Sequence, residues 1–263
     1  MGGSRDAARE RVVIDGVAID NLTMEEAVQV VEGHIDRASG LLVVTPNVDH
    51  LLRLRRDEEF RRAYARAGLV LADGMPLLWL ARLQGTPLKA KVSGSDFLIE
   101  FCRIASVRGR RVFFLGSAEG VVQQAARILQ ERYPGLVVAG TYSPTWGFDR
   151  NEEETRRILE AVKQHEPDIL FVGAGAPKQE KWLLHHWAEL SPTVCVGVGA
   201  AFDFISGRVR RAPRWMRQAG LEWFWRLIHE PLRLFHRYIL EDLPFLCYLA
   251  VKTLGRRLKG IDS

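Results

Sequence analysis

Asp73 is a carboxylate whose position in this sequence would allow acid–base chemistry. It follows a short apolar segment and precedes Gly74, which predicts a position at the carboxyl end of a strand. Thr45 and Asn47 follow another apolar segment in the same way. At the rim of a parallel sheet, a carboxylate beside such side chains can act as general base on a hydroxyl nucleophile. The alternative is that Asp73 caps a helix beginning near Pro76, a frequent role for aspartate.

Two further polar segments allow both a functional and a structural interpretation. Lys178 and Gln179 open a predicted helix after a glycine-rich strand end, where the lysine can neutralise a phosphate and the glutamine can hydrogen-bond a sugar or uracil. The alternative is that this run forms the solvated first turn of a helix. Asp96 is ambiguous in the same way as Asp73, and we expect its neighbour Ser95 to be the helix cap.

Glycine-rich segments at 116–120 and 173–175 are compatible with nucleotide binding, because backbone amides at a tight turn before a helix can hold phosphate. Neither is a full fingerprint. The first lacks the opening G-x-G of a dinucleotide motif, Pro177 interrupts the second, and there is no Walker A loop. Taken singly, each segment is also explained as a tight turn that requires glycine. Histidine, cysteine and carboxylate residues form no cluster with metal-ligand spacing, so we expect neither a metal nor a cofactor.

Three arginines near the C-terminus form another candidate binding group. Arg226, Arg233 and Arg237 are seven and four residues apart, so an unbroken helix would present them along one stripe. Such a stripe can bind a diphosphate through forked hydrogen bonds, contact anionic lipid, or face solvent. Pro231 should end or kink the helix near Glu230. The nearby tryptophans favour a membrane interface over a solvated face.

The order of apolar and amphipathic segments predicts the scaffold that positions these residues. Strands are expected at 11–17, 41–45, 69–72, 111–115, 137–141, 168–173 and 193–197. Helices are expected from about Thr23, where Glu26 completes a capping box, and from about 48, 75, 95, 118, 151 and 178. Alternating strands and helices predict an α/β fold with a mostly parallel sheet and helices on both faces.

Charge divides the chain into two regions. Residues 207–263 contain 12 lysines and arginines against 5 aspartates and glutamates, whereas residues 1–206 contain 25 against 27. The whole net charge of +5 therefore comes from the C-terminal region, which also contains eight aromatic residues. We predict one domain at 1–206 and a basic, aromatic, helical appendage at 207–263 that meets anionic head groups or phosphates.

The cysteines and the apolar segments indicate the compartment. Cys102, Cys195 and Cys247 are odd in number and stand in apolar segments, which is typical of free core thiols in a reducing compartment. Residues 1–11 are polar, unlike a signal peptide. The apolar run at 243–251 contains a proline and is far shorter than the roughly 20 residues that a spanning helix needs. We expect a cytoplasmic protein.

Five segments together resemble the WecG/TagA/CpsF glycosyltransferase family. They are TPNVDH at 45–50, ADG at 72–74, GAGAPKQEKW at 173–182, GVGAAFDF at 197–204 and RAPRWMRQAGLEWFWR at 211–226. Each motif is weak alone, but they occur in the family's order, and the resemblance extends over residues 12–238.

The resemblance implies a Rossmann-like fold and an inverting hexosyltransferase that needs no metal. Such enzymes move a sugar from a UDP-sugar to an undecaprenyl-diphosphate-linked sugar, at the cytoplasmic face of an anionic plasma membrane to which they bind peripherally. The donor would be N-acetylmannosamine or a related hexose or uronic acid, used in teichoic acid or other surface-polysaccharide synthesis. The acceptor sugar and its linkage stay open, as does assembly into a homo-oligomer.

The family's functional residues can be transferred to matching positions of this chain. The resemblance implies that Asp73 is the catalytic base, that Thr45 and Asn47 contact the acceptor or sugar, and that Gln179 contacts substrate. It further implies that arginines of the C-terminal region hold the UDP diphosphate. These are Arg226 and Arg233. A third arginine of the family falls near His236 or Arg237 in this sequence.

Two other classes of function fit parts of the sequence. A nucleotide-cofactor-binding Rossmann oxidoreductase fits the α/β pattern, but no G-x-G-x-x-G follows any predicted strand. A nucleic-acid-binding protein fits the basic aromatic region, but the rest of the chain is slightly acidic and contains no known nucleic-acid module. We therefore rank the transferase first and expect no nucleic-acid partner.

Overall fold

The structure is a computed structural model that describes residues 9–258, apart from the side chains of Arg214, Gln218, Arg233, Arg256 and Leu258. A hairpin of β1 (Arg11–Ile14) and β2 (Val17–Asp20) precedes the main sheet. The strands of that sheet are β3 (Leu41–Val44), β4 (Leu69–Val70), β5 (Arg111–Gly116), β6 (Val137–Tyr142), β7 (Ile169–Gly173) and β8 (Val194–Gly197). All six are parallel, in the order β4-β3-β8-β7-β5-β6, which confirms the predicted α/β class.

Helices connect the strands and cover both faces of the sheet. The first ten are α1 (Met24–Asp36), α2 (Val48–Leu54), α3 (Glu58–Arg66), α4 (Met75–Gln84), α5 (Gly94–Arg108), α6 (Val121–Arg132), α7 (Glu152–His165), α8 (Lys178–His185), α9 (Trp187–Leu190) and α10 (Ala201–Ile205). A 3₁₀ turn at Phe148–Arg150 precedes α7. The C-terminal segment, residues 207–258, contains α11 (Arg214–Gln218), α12 (Glu222–His229), α13 (Pro231–Phe235), a π-helical stretch (His236–Asp242) and α14 (Leu243–Leu258).

The central strands are apolar throughout because both of their faces are buried. Along β7, Ile169 and Phe171 pack into one apolar core while Leu170 and Val172 pack into the other. The same alternation occurs in β3 and β5, as the two-residue period of a strand requires. The sheet is therefore rigidly held from both sides, and its carboxyl edge is a fixed platform for side chains.

Two local expectations need correction. The strand expected at 11–17 is a hairpin, because Asp15 and Gly16 both adopt positive φ (47° and 83°) and reverse the chain. Ser93, not Ser95, caps α5, since its hydroxyl accepts the amide hydrogen of Asp96. The capping box of α1 is confirmed, with Thr23 as its N-cap.

The C-terminal segment packs back onto the first part of the chain. Phe245 and Leu249 of α14 are buried in the same core as Leu77 and Leu78 of α4. Nearby, the guanidinium of Arg55 lies 4.9 Å from the ring centre of Phe245. In the range 9–258, no helix has the length and hydropathy needed to cross a bilayer.

Candidate active site at the carboxyl edge of the sheet

The carboxyl ends of β4, β3 and β8 lie side by side and bring the predicted residues together. The backbone amide of Asp73 donates to the carbonyl of Pro46, at 2.8 Å, which fixes the end of β4 beside that of β3. Thr45 is buried, and its hydroxyl donates to the carbonyl of Gly197, at 3.4 Å, across to β8. Asp73 and Thr45 thus occupy one rim, as the sequence predicts.

Asp73 is not a helix cap, which removes the structural explanation for this residue. Helix α4 begins at Met75, its N-cap is Gly74 with φ at +115°, and no side chain caps it. Asn47, by contrast, does cap a helix, because its side-chain oxygen accepts the amide hydrogen of His50 at the start of α2. The carboxylate of Asp73 is therefore available for chemistry at the rim, whereas the amide oxygen of Asn47 is already used by the backbone.

The surroundings of Asp73 make it a base suited to neutral pH. Burial at the rim raises the pKa of Asp73 to about 7, and the negative charges of Glu222 and Asp96 act in the same direction. Lys91 and Arg211 oppose this by stabilising the carboxylate. A carboxyl group with a pKa near the working pH can both accept and release a proton, as a general base must.

A network of five charged residues surrounds the rim, which we call the rim network. It consists of Lys91, Asp96, Arg211, Arg217 and Glu222. Arg211 donates to Asp96 at 2.7 Å and lies 3.4 Å from Glu222, whose other oxygen is 3.7 Å from Lys91. Sequence reasoning did not assign Lys91, Arg211, Arg217 or Glu222 to the site. The signal was available for three of these, because they stand in the conspicuous motif at 211–226.

Gln179 lies inside the protein at this edge, where it holds two loops together. Its side-chain oxygen accepts the amide hydrogens of Gly175, after β7, and Gly199, after β8, both at 3.1 Å. Its amide nitrogen donates to buried Glu180, at 2.8 Å. Only 2% of Gln179 is exposed, and a Cβ at Gly197 would come within 2.7 Å of its nitrogen. In the structure, Gln179 therefore connects the loops after β7 and β8 by hydrogen bonds. Its contact with substrate stays a prediction.

Lys178 lies further along the same edge, against the loop that follows β6. Its ammonium is 4.6 Å from the ring centre of Trp146 and 3.7 Å from a carboxylate oxygen of Asp149. Trp146 is 97% exposed, so this loop presents an aromatic ring and a cation to solvent.

The predicted arginines do not lie on one continuous helix. Glu230 leaves helical geometry between α12 and α13, as the proline after it indicates. Arg226 lies over Phe204, which follows β8, with 5.6 Å between guanidinium carbon and ring centre. Arg237 lies instead against Asp242 and Asp49, at 3.7 and 3.9 Å. The side chain of Arg233 lies outside the described residues.

Arg211 joins Arg226 over the same ring. Its guanidinium carbon is 5.7 Å from the ring centre of Phe204. The Nη2 of Arg211 and the Nε of Arg226 are both buried without a hydrogen-bond partner among the described residues. Two buried guanidinium nitrogens with unused donors beside a strand end are suited to an anionic ligand. Elsewhere in the described range, no group of three or more histidines, cysteines or carboxylates could hold a metal.

Comparison with known proteins assigns this fold to a family. A family model described as "Glycosyl transferase WecG/TagA/CpsF family" matches residues 12–259. The chain belongs to this family. An N-acetylglucosaminyldiphosphoundecaprenol N-acetyl-beta-D-mannosaminyltransferase of Bacillus subtilis (strain 168) is 30% identical over 222 residues, 84% of each chain. An enzyme of the same name from Staphylococcus aureus (strain MW2) is 30% identical over 251 residues, 95% of each chain.

Family membership confirms the resemblance recognised in the five motifs, and it makes the chain a glycosyltransferase of the hexosyltransferase type. The carboxyl rim, with Asp73 and the rim network, is the candidate active site of that enzyme. The individual roles of Asp73, Thr45, Asn47, Lys178, Gln179 and the arginines remain predictions.

Proposed function

We propose that this chain transfers N-acetylmannosamine, or a closely related hexose or uronic acid, from a UDP-sugar to N-acetylglucosaminyl-diphosphoundecaprenol. The sugar and the acceptor are those in the names of the Bacillus and Staphylococcus relatives. The observation that carries the proposal is the state of Asp73. Its carboxylate lies at the carboxyl rim and does not cap α4, and its pKa is raised to about 7. Its sequence motif, ADG at 72–74, matches that of the family's proposed catalytic base.

In the proposed mechanism the carboxylate of Asp73 takes the proton of the acceptor hydroxyl. The hydroxyl oxygen then forms a bond to the anomeric carbon while the bond from that carbon to the UDP oxygen breaks. Attack opposite the leaving group inverts the configuration of the anomeric carbon. Since the bonding pair leaves with UDP, negative charge accumulates on the departing diphosphate, and this charge has to be stabilised.

Arg211 and Arg226 are suited to that task. Each has a buried guanidinium nitrogen without a partner, and both guanidinium groups lie over Phe204 of α10, the helix that follows β8. Positive donors fixed in a low-dielectric site stabilise developing charge without having to reorganise. We therefore propose that arginines perform the function that a divalent cation performs in metal-dependent transferases.

The C-terminal segment is the proposed membrane contact, at the cytoplasmic face of the bilayer. It is net basic, and several of its large apolar side chains are exposed, among them Leu232, Trp215 and Phe235. Exposed aliphatic and aromatic groups beside arginines favour the interface of an anionic bilayer. A lipid-linked acceptor would then reach the rim from the surface to which the enzyme is bound.

The proposed function is tested by measuring UDP release from a panel of UDP-sugars with a short-chain polyprenyl-diphosphate-N-acetylglucosamine acceptor in EDTA. We expect release that requires the acceptor and is strongest with UDP-N-acetylmannosamine. Release that requires an added divalent cation would contradict the arginine mechanism. Acceptor-independent release, or none with any donor even after a disaccharide-diphosphate lipid is supplied, would contradict the proposed reaction.

A further inference from the structure

The C-terminal segment packs against α4, the helix that begins next to Asp73. Gly220, in the turn between α11 and α12, packs so closely on α4 that a Cβ there would lie 2.8 Å from Met75 and from the ring of Trp79. Its φ of +76° also requires a left-handed turn. Because α4 begins two residues after Asp73, this contact holds the start of α12 beside the catalytic rim.

Glu222 is the first residue of α12 and is held at the rim from two sides. Arg211 Nε is 3.4 Å from one of its oxygens, and Lys91 Nζ is 3.7 Å from the other. The side chains of Arg211 and Lys91 are each only 16% exposed, so these pairs lie largely out of water. Arg211 also binds Asp96 on α5, which connects the C-terminal segment to the sheet region.

We infer that Glu222 is a positioning residue of the active site. Docking of the C-terminal segment places its carboxylate at the rim, between Lys91 and Arg211, from where it acts on the base Asp73. The inference rests on the proposed role of Asp73 as general base. It adds that a carboxylate of the C-terminal segment contributes to the charge around that base.

The charges that face Asp73 come from several elements. Lys91 approaches from the loop before α5, Asp96 from the first turn of α5, and Arg211 and Glu222 from the C-terminal segment. On α3, the charge of Asp73 contributes to raising the pKa of Tyr64. Glu222 has the strongest influence of these charges on the pKa of Asp73 and raises it, whereas Arg211 has a weaker, opposing influence. Undocking the segment would remove both charges and admit water, so the pKa of Asp73 would fall and its carboxylate would become a weaker base.

The test is a direct titration of Asp73 in the full-length protein. Carbon-13 NMR of aspartate-labelled protein gives one carboxyl signal per residue, and the signal missing from Asp73→Asn identifies Asp73. We expect a midpoint near 7 in the wild type and a lower midpoint in Glu222→Gln, whose amide keeps the shape of the side chain. At pH 6 the ionised fraction of Asp73 should be roughly two- to fivefold larger in that variant.

Glu241→Gln is the matched control, since it removes one carboxylate of the same segment, in the π-helical stretch, away from the groups that influence Asp73. Its titration midpoint should equal that of the wild type. In the transfer assay, the acid limb of the kcat profile should move to lower pH in Glu222→Gln only. Thermal unfolding of each variant checks that the fold is retained.

Each outcome decides the inference. An unmoved midpoint in Glu222→Gln, or an equal shift in Glu241→Gln, overturns it while leaving the proposed function intact if Asp73→Asn is inactive. Full transfer activity in Asp73→Asn overturns the role of the base and this inference with it. A shift confined to Glu222→Gln, in both the titration and the kcat profile, supports it.

Discussion

The sheet region and the C-terminal segment differ in how far their apolar side chains are buried. In the sheet, strands such as β7 bury every residue between two layers of helices. In the C-terminal segment, helices such as α12 have no fully buried residue. Of sixteen large apolar side chains that are exposed in the described range, eleven lie between Trp215 and Leu254. The difference indicates that the strands bury their apolar side chains almost completely, whereas the C-terminal segment exposes an apolar surface of the kind found at contact sites.

The segment is nevertheless more than a surface. Phe245 and Leu249 belong to a core of the sheet region, and Arg211 and Glu222 belong to the rim network. One face of residues 207–258 therefore packs against the sheet region, and another face is exposed. At the proposed boundary, 206/207, the composition changes, but residues from both sides of it pack into the same core.

The largest effect should come from the rim of the sheet region. Asp73→Asn removes the proton acceptor, so turnover should fall by roughly 10²- to 10⁴-fold. Neutralising a carboxyl at a site that disfavours its charge should leave thermal stability undiminished. Steady-state UDP release measures the first effect and calorimetry the second. Asp36→Asn on the surface of α1 is the control, and near-wild-type turnover in Asp73→Asn would remove this residue from the mechanism.

A smaller effect, on membrane affinity alone, should come from the exposed face of the C-terminal segment. Leu232 is wholly exposed and Phe235 is 53% exposed. Replacing both by serine should weaken binding to phosphatidylglycerol-containing vesicles roughly tenfold or more, since each loses apolar area that the bilayer would bury. Vesicle co-sedimentation measures this.

The control for that experiment is Val107→Ser, which changes a side chain that is 82% exposed on α5 of the sheet region. It should bind vesicles like the wild type, and neither variant should unfold earlier. Equal binding by the double variant and the wild type would show that this face is not the contact. Deleting the whole segment is less informative, because it would also remove the buried Phe245 and Leu249.

The smallest effect should be a loss of folding stability where Gln179 connects the loops after β7 and β8. Gln179→Leu leaves the amides of Gly175 and Gly199 without their acceptor, so the free energy of unfolding should fall by about 1–3 kcal/mol. Denaturant titration measures this, with the exposed Gln164→Leu on α7 as the control. If Gln179→Leu left stability unchanged but lost affinity for the UDP-sugar, direct contact of Gln179 with substrate would be favoured over its role in connecting the loops.

The sequence predicted most of the fold because its signals are local. Apolar runs at 41–45, 111–115 and 193–197 correspond to β3, β5 and β8. Thr23 and Glu26 form their capping box within one helical turn. The hairpin of β1 and β2 was missed because apolar residues stand on both sides of its turn, so that only Asp15-Gly16 marks the reversal of the chain.

The site was predictable where it depends on strand ends and unpredictable where it depends on distant pairs. Thr45 comes directly after β3 and Asp73 three residues after β4, and neighbouring parallel strands bring their ends to one rim. Nothing in the spacing of Lys91 and Glu222, 131 positions apart, indicates that they meet at 3.7 Å. The interior position of Gln179 was equally hidden, because a polar run at a helix start is usually solvated.

The sequence by itself determined the α/β class, the family, the candidate base and the division into a near-neutral and a basic region. These follow from periodicity, motifs and composition, which need no knowledge of long-range packing. The tertiary structure decided that Asp73 does not cap α4, that Asn47 caps α2, and that the helix breaks between Arg226 and Arg237. It also decided that Glu222 reaches the rim. Burial and charge proximity set the pKa of Asp73, and both depend on the packing that brings Lys91, Asp96 and the C-terminal segment to the rim.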